Sequence, residues 1–294
     1  RRQRQMCIRD RGYEVFALVR KNSASIHFLP EENERFHLMY GSLENLTCIE
    51  DYIKEANYFV HFAWDGSGNA GRANYEIQSK NVWYSMEALK IADRLGCESF
   101  WFPGSQAEYG VKHEPISEEM ECHPVSEYGK SKLKFGNMAE EFCRDKKIRF
   151  IHLRIFSIYG ADDRPGTLVD TCVRKFNSGE TVQLGNCTQK WNYLYIDDFT
   201  DMISRMMEKN IDTGIYNISG VDTRVLREFV TEIYHLSNQT GNYEFGNNIV
   251  NPEGTPDLEP VIKKVDSVIG THKITTFSDG IREIMKRIEE ESFV

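Results

Sequence analysis

The amino-acid sequence predicts an α/β fold in which a doubly wound parallel sheet carries a smaller C-terminal lobe. Three observations support this prediction. Apolar, strand-like segments alternate with helical patterns, one such segment (YFVHFAW, 58–64) is apolar almost throughout, and the alternation loosens after Tyr159-Gly160. Strands buried on both faces read as such continuous apolar runs, and strands separated by helices form βαβ units of a parallel sheet.

The local patterns predict each element in turn. YEVFALV (13–19) predicts a first strand, bounded by Gly12 and Arg20-Lys21. Next come a strand and turn in FHLMYGSLEN (36–45), an amphipathic helix in LTCIEDYIKEA (46–56) and a strand in YFVHFAW. The following predictions are a helix over 75–94, a strand in CESFWFPG (97–104), a helix over about 126–146 and a strand in IRFIHLRIF (148–156). A turn-rich region then reaches Trp191, followed by a helix in YLYIDDFTDMISRMM (193–207), a strand in GIYNISG (214–220) and a last helix from about Ser278.

Composition excludes several classes of protein. The 294 residues include no apolar run near the roughly 18–20 residues that span a bilayer, and the first residues lack the apolar core of a signal peptide. We therefore expect a cytoplasmic protein with no membrane partner. Seven scattered cysteines without CxxC spacing indicate reduced thiols, and the histidines show no metal-ligand spacing. A formal net charge of −9 argues against a nucleic-acid partner.

A tyrosine and a lysine stand four residues apart in YGKSK (128–132), at the start of a predicted helix. That spacing places Tyr128 and Lys132 on the same helix face, one turn apart. An ammonium about 4 Å from a phenol, at an effective dielectric of about 20, lowers the phenol pKa by roughly three units, toward the range useful for proton transfer. The alternative is an exposed pair on a solvated helix face.

A serine in FPGSQAEYG (102–110) strengthens the catalytic interpretation. Ser105 follows a predicted strand, where its hydroxyl can bind a substrate carbonyl or alkoxide while Tyr128 moves the proton. Ser105 beside Gly104 is also compatible with an ordinary turn. The two elements together favour a Ser/Tyr/Lys site.

These segments resemble an extended short-chain dehydrogenase/reductase of the NAD-dependent epimerase/dehydratase family, whose members act on nucleotide sugars. The resemblance runs from about Gly12 to the C-terminus. It rests on VHFAW (60–64), Asn81, GSQAEYG (104–110), YGKSK (128–132), LRIFSIYG (153–160), YLYIDD (193–198) and IYNISG (215–220). It implies a Rossmann-like fold, a nucleotide-sugar substrate and, as an expected assembly, a homodimer.

The resemblance also implies roles for individual residues. The catalytic residues would be Ser105, Tyr128 and Lys132, with Lys132 also holding the nicotinamide ribose. The other residues implied at the cofactor are His61, Phe62, Ala63, Trp64, Asn81, Ile155, Phe156 and Ser157.

Two departures from the family pattern narrow the reaction. The family's 4,6-dehydratases follow the hydroxyl residue with Asp and Glu, where this chain has Gln106 and Ala107. Neither can transfer a proton usefully, so we expect no dehydration. Many epimerases place an Arg shortly before YLYIDD to bind the diphosphate. Here Lys190 and Trp191 stand in that region, and with Gln106 they are our candidate substrate-binding residues.

The end of the first predicted strand bears on the cofactor. A carboxylate there binds the ribose of NAD, whereas a basic residue suits the 2′-phosphate of NADP. The chain has Arg20 and Lys21, so we expect NADP in preference to NAD, with Arg20 as a cofactor-binding residue. The alternative is a solvated basic turn.

The N-terminus departs most from the family. A first strand and a glycine-rich phosphate loop precede segments like RGYEVFALVR in the family, but this chain has RRQRQMCIRDR (1–11) there. We expect a non-native segment in an N-terminally truncated chain that binds a dinucleotide weakly; the alternative is a genuine, unusual N-terminus. Without the buried apolar residues of that first strand, the fold would lose on the order of 10 kcal/mol of stability.

The domain prediction follows. Residues 12–158 and 193–219 would form the dinucleotide-binding domain, and residues 159–192 and 220–294 the substrate-binding lobe. The predicted function is an NAD(P)-dependent reductase or epimerase of a nucleotide-linked 4-keto sugar. The alternatives are a non-catalytic NADP-sensing protein on the same fold and an inactive fragment of the enzyme.

Overall fold

The computed structural model describes residues 12–23, 26–161, 163, 165–247, 254–270 and 274–291. The predicted non-native segment 1–11 lies outside these residues. The strands are β1 (Val15–Val19), β2 (Phe36–Tyr40), β3 (Tyr58–Val60), β4 (Ser99–Ser105), β5 (Arg149–Ile155), β6 (Ser157–Tyr159), β7 (Thr181–Gln183), β8 (Lys190–Tyr195), β9 (Gly214–Ile218), β10 (Thr223–Val225) and β11 (Asn242–Glu244).

Helices fill most of the intervals between the strands. The α-helices are α1 (Ile49–Tyr52), α2 (Asn69–Arg72), α3 (Tyr75–Arg94), α4 (Glu127–Lys146), α5 (Leu168–Asn177), α6 (Ile196–Glu208), α7 (Leu226–Leu236), α8 (Lys263–Ile269) and α9 (Phe277–Glu291). Short 3₁₀ helices cover Ile26–Phe28, Leu43–Cys48 and Gln106–Glu108. No helix within the described part of the chain is both long and apolar enough to cross a membrane.

The chain divides into two compact units. Unit 1 comprises Arg1–Gly110, Glu118–Ile155 and Ile203–Asn217, and unit 2 comprises Val111–Ser117, Phe156–Met202 and Ile218–Val294. The assignment of one domain to the cofactor and the other to the substrate stays a prediction.

Unit 1 contains the parallel strands that the sequence predicts. β1 pairs with β2 in parallel, and a second sheet has the order β3-β4-β5-β9, in which the β3/β4 and β4/β5 pairs are parallel. Apolar side chains of α3 and α4 cover this sheet, and the rings of Phe102 and Phe135 meet edge to face at 4.5 Å. The prediction of an α/β fold with a parallel sheet is therefore confirmed.

The two long helices of unit 1 begin at side-chain caps. The Oδ1 atom of Asn74 accepts a hydrogen bond from the Ile77 amide at 3.1 Å, and Ser126 Oγ accepts one from Gly129 at 3.2 Å. Such caps satisfy amides that have no partner inside the helix. They set where α3 and α4 start, and so which residues stand in their first turns.

Unit 2 is built on smaller sheets. One has the order β10-β8-β6, with β8/β10 antiparallel and β6/β8 parallel, and β7 pairs with β11 in parallel. An aromatic cluster packs at its centre, where the Phe277 ring lies 4.7 Å from Phe229 and 5.0 Å from Tyr159.

Several sequence predictions differ from the structure. The first residues of the predicted helix over 193–207 belong to β8, and α6 begins only at Ile196. The predicted helix over 46–56 is a 3₁₀ helix followed by the four-residue α1, and the buried Leu46 and Ile49 are three apart, as a 3₁₀ turn requires. The turn-rich region 160–191 contains α5, whose buried Val169, Cys172, Val173 and Phe176 have helical spacing. β3 ends at Val60, four residues before the predicted end, although the His61 amide still donates to the Trp101 carbonyl at 3.0 Å. From Trp64 on, the chain is hydrogen-bonded to side chains of α3.

Candidate active site

Ser105 is the last residue of β4 and is 8% exposed. Its Oγ accepts a hydrogen bond from the Ala107 amide at 3.2 Å, and its own amide donates to Glu108 Oε1 at 2.8 Å. This reciprocal capping box starts the 3₁₀ helix Gln106–Glu108. It holds the serine hydroxyl at the carboxyl edge of the sheet, where open α/β sheets bind ligands.

Tyr128 and Lys132 lie in the first two turns of α4. Lys132 is 4% exposed, and its Nζ donates to the carbonyl of Pro103 at 2.8 Å. A Cβ on Gly129 would lie 2.5 Å from the carbonyl oxygen of Ala107, so the first turn of α4 packs directly on the 3₁₀ helix behind Ser105. The structure thus brings the three predicted catalytic residues to one edge of one sheet. Their roles stay predictions.

Aromatic and cationic side chains surround the tyrosine. Lys132 Nζ lies 3.8 Å from the centre of the Trp64 ring and 5.6 Å from that of Tyr128. The guanidinium carbon of Arg72 lies 4.1 Å from the centre of the Tyr128 ring. Sequence reasoning missed Arg72, because it belongs to the four-residue helix α2 and no local pattern connects it with Tyr128.

Burial dominates the electrostatics of this site. Desolvation lowers the pKa of Lys132 to about 7, Glu108 opposes that change, and Arg72 adds to it. Desolvation, with a smaller contribution from Lys132, lowers the pKa of His61 to about 3, so His61 is neutral at pH 7. The His61 Nε2 atom lies 2.9 Å from Ser85 Oγ. A lysine that titrates near neutral pH is typical of functional sites.

The loop after β3 is held by two amide side chains of α3. Gln78 accepts from Trp64 Nε1 at 2.8 Å and donates to the carbonyls of Gly66 at 3.0 Å and Gly71 at 2.9 Å. Asn81 accepts from the amide of Asp65 at 3.0 Å and donates to its carbonyl at 2.8 Å. The role of Asn81 at the cofactor stays a prediction. Sequence reasoning missed Gln78, since a lone Gln in a helix carries no signal.

The remaining predicted cofactor residues occupy three places. Arg20 is exposed directly after β1, and its carbonyl accepts from Ser23 in a tight turn. Phe62 and Ala63 are exposed in the loop after β3, and Ile155 pairs with Ser105 in the sheet register. Phe156 is buried and donates its amide to the Ile218 carbonyl, while Ser157 pairs with Tyr193, both within unit 2.

The three predicted substrate residues differ in their surroundings. Gln106 is half-buried at the start of the 3₁₀ helix behind Ser105. Lys190 Nζ pairs with Glu259 at 2.5 Å, and this contact raises the pKa of Lys190. A substrate anion would have to compete with the Glu259 carboxylate for the Lys190 ammonium. The buried Trp191 Nε1 has no hydrogen-bond partner within the described chain.

No group of three or more potential metal ligands lies within the described ranges.

Known proteins share this fold and part of this sequence. The uncharacterised UDP-glucose epimerase YtcB of Bacillus subtilis is 23% identical over 277 residues, covering 92% of this chain and 84% of YtcB. The structure of UDP-glucuronic acid 4-epimerase from Bacillus cereus, in complex with UDP-glucuronic acid and NAD, superposes with a TM-score of 0.82. It is 19% identical and covers 98% of this chain and 95% of its own.

The dTDP-glucose 4,6-dehydratase of Bacillus anthracis, in complex with NAD, is similar to the same degree. It has a TM-score of 0.80 and 18% identity, with 98% of this chain and 92% of the dehydratase covered. These likenesses confirm the Rossmann-like fold, and they do not distinguish an epimerase from a dehydratase. The model of the NAD dependent epimerase/dehydratase family matches residues 6–219. The chain belongs to the NAD dependent epimerase/dehydratase family.

Proposed function

We propose that this protein is a nicotinamide-dependent reductase or epimerase of a nucleotide-linked 4-keto sugar, with Ser105, Tyr128 and Lys132 as catalytic residues. One observation carries the proposal. The buried ammonium of Lys132 hydrogen-bonds the Pro103 carbonyl, two residues before Ser105, while Tyr128 stands one turn earlier on the same helix.

The residues around Lys132 fit a nicotinamide ribose. An ammonium has three N–H donors, and within the described residues Lys132 uses one of them, toward Pro103. Two donors at a buried position suit the adjacent hydroxyls of a ribose. When bound, the nicotinamide supplies or accepts the hydride.

The protein side chains manage the proton. In the reducing direction the sugar C4 gains a hydride, and its oxygen takes the phenolic proton of Tyr128. Ser105 Oγ donates a hydrogen bond to that oxygen as negative charge develops. The Lys132 ammonium stabilises the resulting phenolate, and Arg72 adds a second positive charge over the ring. In the oxidising direction the same groups act in reverse.

The residues after Ser105 argue against removal of water. The 3₁₀ helix presents Gln106 and Ala107 where a dehydration would need an acid and a base. Reduction and epimerisation remain, and they differ in whether cofactor is consumed: a reductase oxidises one equivalent of cofactor for each sugar, whereas an epimerase returns it to its starting state.

For the cofactor we propose NADP in preference to NAD. The support is the exposed Arg20-Lys21 pair directly after β1. In dinucleotide-binding folds of this kind a residue near the end of such a strand contacts the adenosine ribose. The B. cereus and B. anthracis relatives described above were solved with NAD, so this preference rests on the basic pair alone.

The second candidate is a non-catalytic, NADP-sensing protein of the same fold. Such a protein has no need of a buried lysine beside a tyrosine and a serine, because burying an ammonium is costly. The Lys132 arrangement therefore favours the enzyme.

The test combines a substrate survey with one variant. The intact protein is incubated with UDP-, dTDP- and CDP-linked 4-keto sugars at saturating NADPH or NADH, and cofactor oxidation and sugar products are followed by absorbance and NMR. Tyr128→Phe should lower turnover at least ~10²-fold with little change in cofactor affinity. Tyr52→Phe, at a tyrosine that is 49% exposed, is the control. Near-normal turnover in Tyr128→Phe would remove Tyr128 from the mechanism, and cofactor binding without turnover of any sugar would favour the sensing protein.

A further inference from the structure

Three ionisable side chains are buried behind Ser105. Glu108 is completely buried, and His152 and Arg154 of β5 are each 3% exposed. Glu108 Oε1 accepts from the Ser105 amide at 2.8 Å and lies 3.1 Å from His152 Nε2. Glu108 Oε2 accepts from Arg154 Nε at 3.0 Å. The proposed proton transfer uses none of these three side chains directly.

The carboxylate of Glu108 is ionised. Burial would raise its pKa, but the contacts with His152 and Arg154 hold the pKa below its usual value. A nitrogen that faces an ionised carboxylate must donate, so His152 Nε2 carries a proton. A buried ion pair is often no more stable than apolar residues of the same volume, so stability alone does not explain this group.

The fold leaves room for the group by means of two glycines. A Cβ on Gly104 would lie 2.4 Å from both Glu108 Oε1 and His152 Nε2. A Cβ on Gly136 would lie 2.6 Å from His152 Cε1. Gly104 precedes Ser105 on β4, and Gly136 follows Lys132 by one turn on α4. The elements that carry the serine and the lysine thus also enclose the buried carboxylate.

We propose that Glu108 is a positioning residue, whose carboxylate holds Ser105 through its backbone amide and balances the charge of the Lys132 ammonium. The inference rests on the proposed function as far as turnover is concerned, and its electrostatic part stands without it.

The effect on Lys132 follows from the charges that face it. Without the Glu108 carboxylate, Lys132 would lose the negative charge that raises its pKa. The buried Arg154 guanidinium would lose its carboxylate partner and keep its contact with the Tyr109 ring. The titratable or charged groups around Lys132 and Glu108 are Tyr128 on α4, Arg72 on α2, His61 after β3, and His152 and Arg154 on β5. Glu108 is the only carboxylate among these described neighbours. It opposes the desolvation that lowers the pKa of Lys132 to about 7.

The first experiment is Glu108→Gln, which keeps the shape of the side chain and an oxygen for the Ser105 amide but removes the charge. In protein carrying [13Cε]-lysine, the Lys132 resonance, assigned with Lys132→Arg, is followed by NMR over pH 4 to 11. We expect the pKa of Lys132 to fall from about 7 to about 6 or lower. An unchanged titration would overturn the electrostatic part of the inference.

The pH profile of kcat distinguishes this role from a purely structural one, because a structural defect would lower kcat without shifting the pH at which it falls. The alkaline limb of the profile should shift to lower pH together with the Lys132 titration. The activity lost at pH 8 should be largely recovered at pH 6. An equal loss at every pH would contradict the inference. If the Lys132 titration shifts while neither protein turns over any 4-keto sugar, the proposed function fails and the charge coupling stands.

Glu108→Asp separates charge from position and serves if Glu108→Gln does not fold. It keeps the charge but shortens the reach to the Ser105 amide, so Lys132 should titrate as in the unchanged protein while kcat falls about tenfold at all pH values. A fall in the Lys132 pKa in this variant would overturn the role assigned to the charge. Glu118→Gln is the matched control, because Glu118 also accepts a backbone amide, from Asn217, in the same unit. It should leave the Lys132 titration unchanged.

Discussion

Replacing Lys132 with methionine should stabilise the folded protein while abolishing its catalysis. Lys132 is 4% exposed, and burial lowers its pKa from 10.5 to about 7. One pKa unit corresponds to about 1.4 kcal/mol, so keeping this ammonium folded costs roughly 5 kcal/mol. The contact with the Trp64 ring, 3.8 Å away, offsets about 1–2 kcal/mol of that cost. Methionine has a similar volume, and we expect it to raise the free energy of unfolding by about 2–4 kcal/mol at pH 6.

The pH dependence identifies the cause. Between pH 7 and 10.5 the unfolded chain holds the lysine proton and the folded chain does not, so the stability of the unchanged protein rises with pH across this window. Below pH 7 both states are protonated and the full penalty is present. The advantage of Lys132→Met should therefore be largest below pH 7, should shrink by about 1.4 kcal/mol per pH unit above it, and should be lost between about pH 8.5 and 10.

Urea unfolding of the nucleotide-free proteins at pH 6, 7, 8.5 and 10 measures this difference. Lys130→Met is the matched control, because Lys130 lies on the same helix but is exposed and pairs with Glu127. It should change the free energy of unfolding by less than about 1 kcal/mol at every pH. A difference between Lys132→Met and the unchanged protein that stays constant from pH 6 to 10 would refute the argument from burial.

Two further predictions concern the cofactor and the packing behind the site. Arg20→Asp should shift the dinucleotide preference from NADPH toward NADH, because it removes a partner for the 2′-phosphate and supplies an acceptor for the ribose hydroxyl. Fluorescence titration measures the ratio of the two dissociation constants. An unchanged ratio would show that Arg20 is a solvated turn residue. Gly136→Ala should lower the free energy of unfolding by about 1–3 kcal/mol, because the added Cβ would overlap the buried His152 ring. Urea unfolding measures this change. An unchanged midpoint would show that the His152 ring can move without cost.

Local patterns were sufficient for much of the fold. The helix predicted over 75–94 is α3 with the same ends, and the helix predicted over 126–146 starts one residue later as α4. Both helices have a polar cap at the residue before them, and that signal depends on immediate neighbours. Sequence reasoning missed helix α5, although its apolar spacing is visible, because Pro165 and the surrounding glycines indicated turns.

The sequence by itself determined the alternation of strands and helices and the family. It also predicted that Tyr128 and Lys132 share a helix face. These features follow from short sequence motifs, whose residues lie close together along the chain. Only the tertiary structure showed that Arg72 stacks on Tyr128 and that Glu108 is buried with Arg154. These contacts join residues 46 to 56 positions apart, and neighbouring strands and helices bring them together. The physical reason is that burial and charge balance are properties of the packed interior, where a residue's pKa depends on which distant groups share its low-dielectric surroundings.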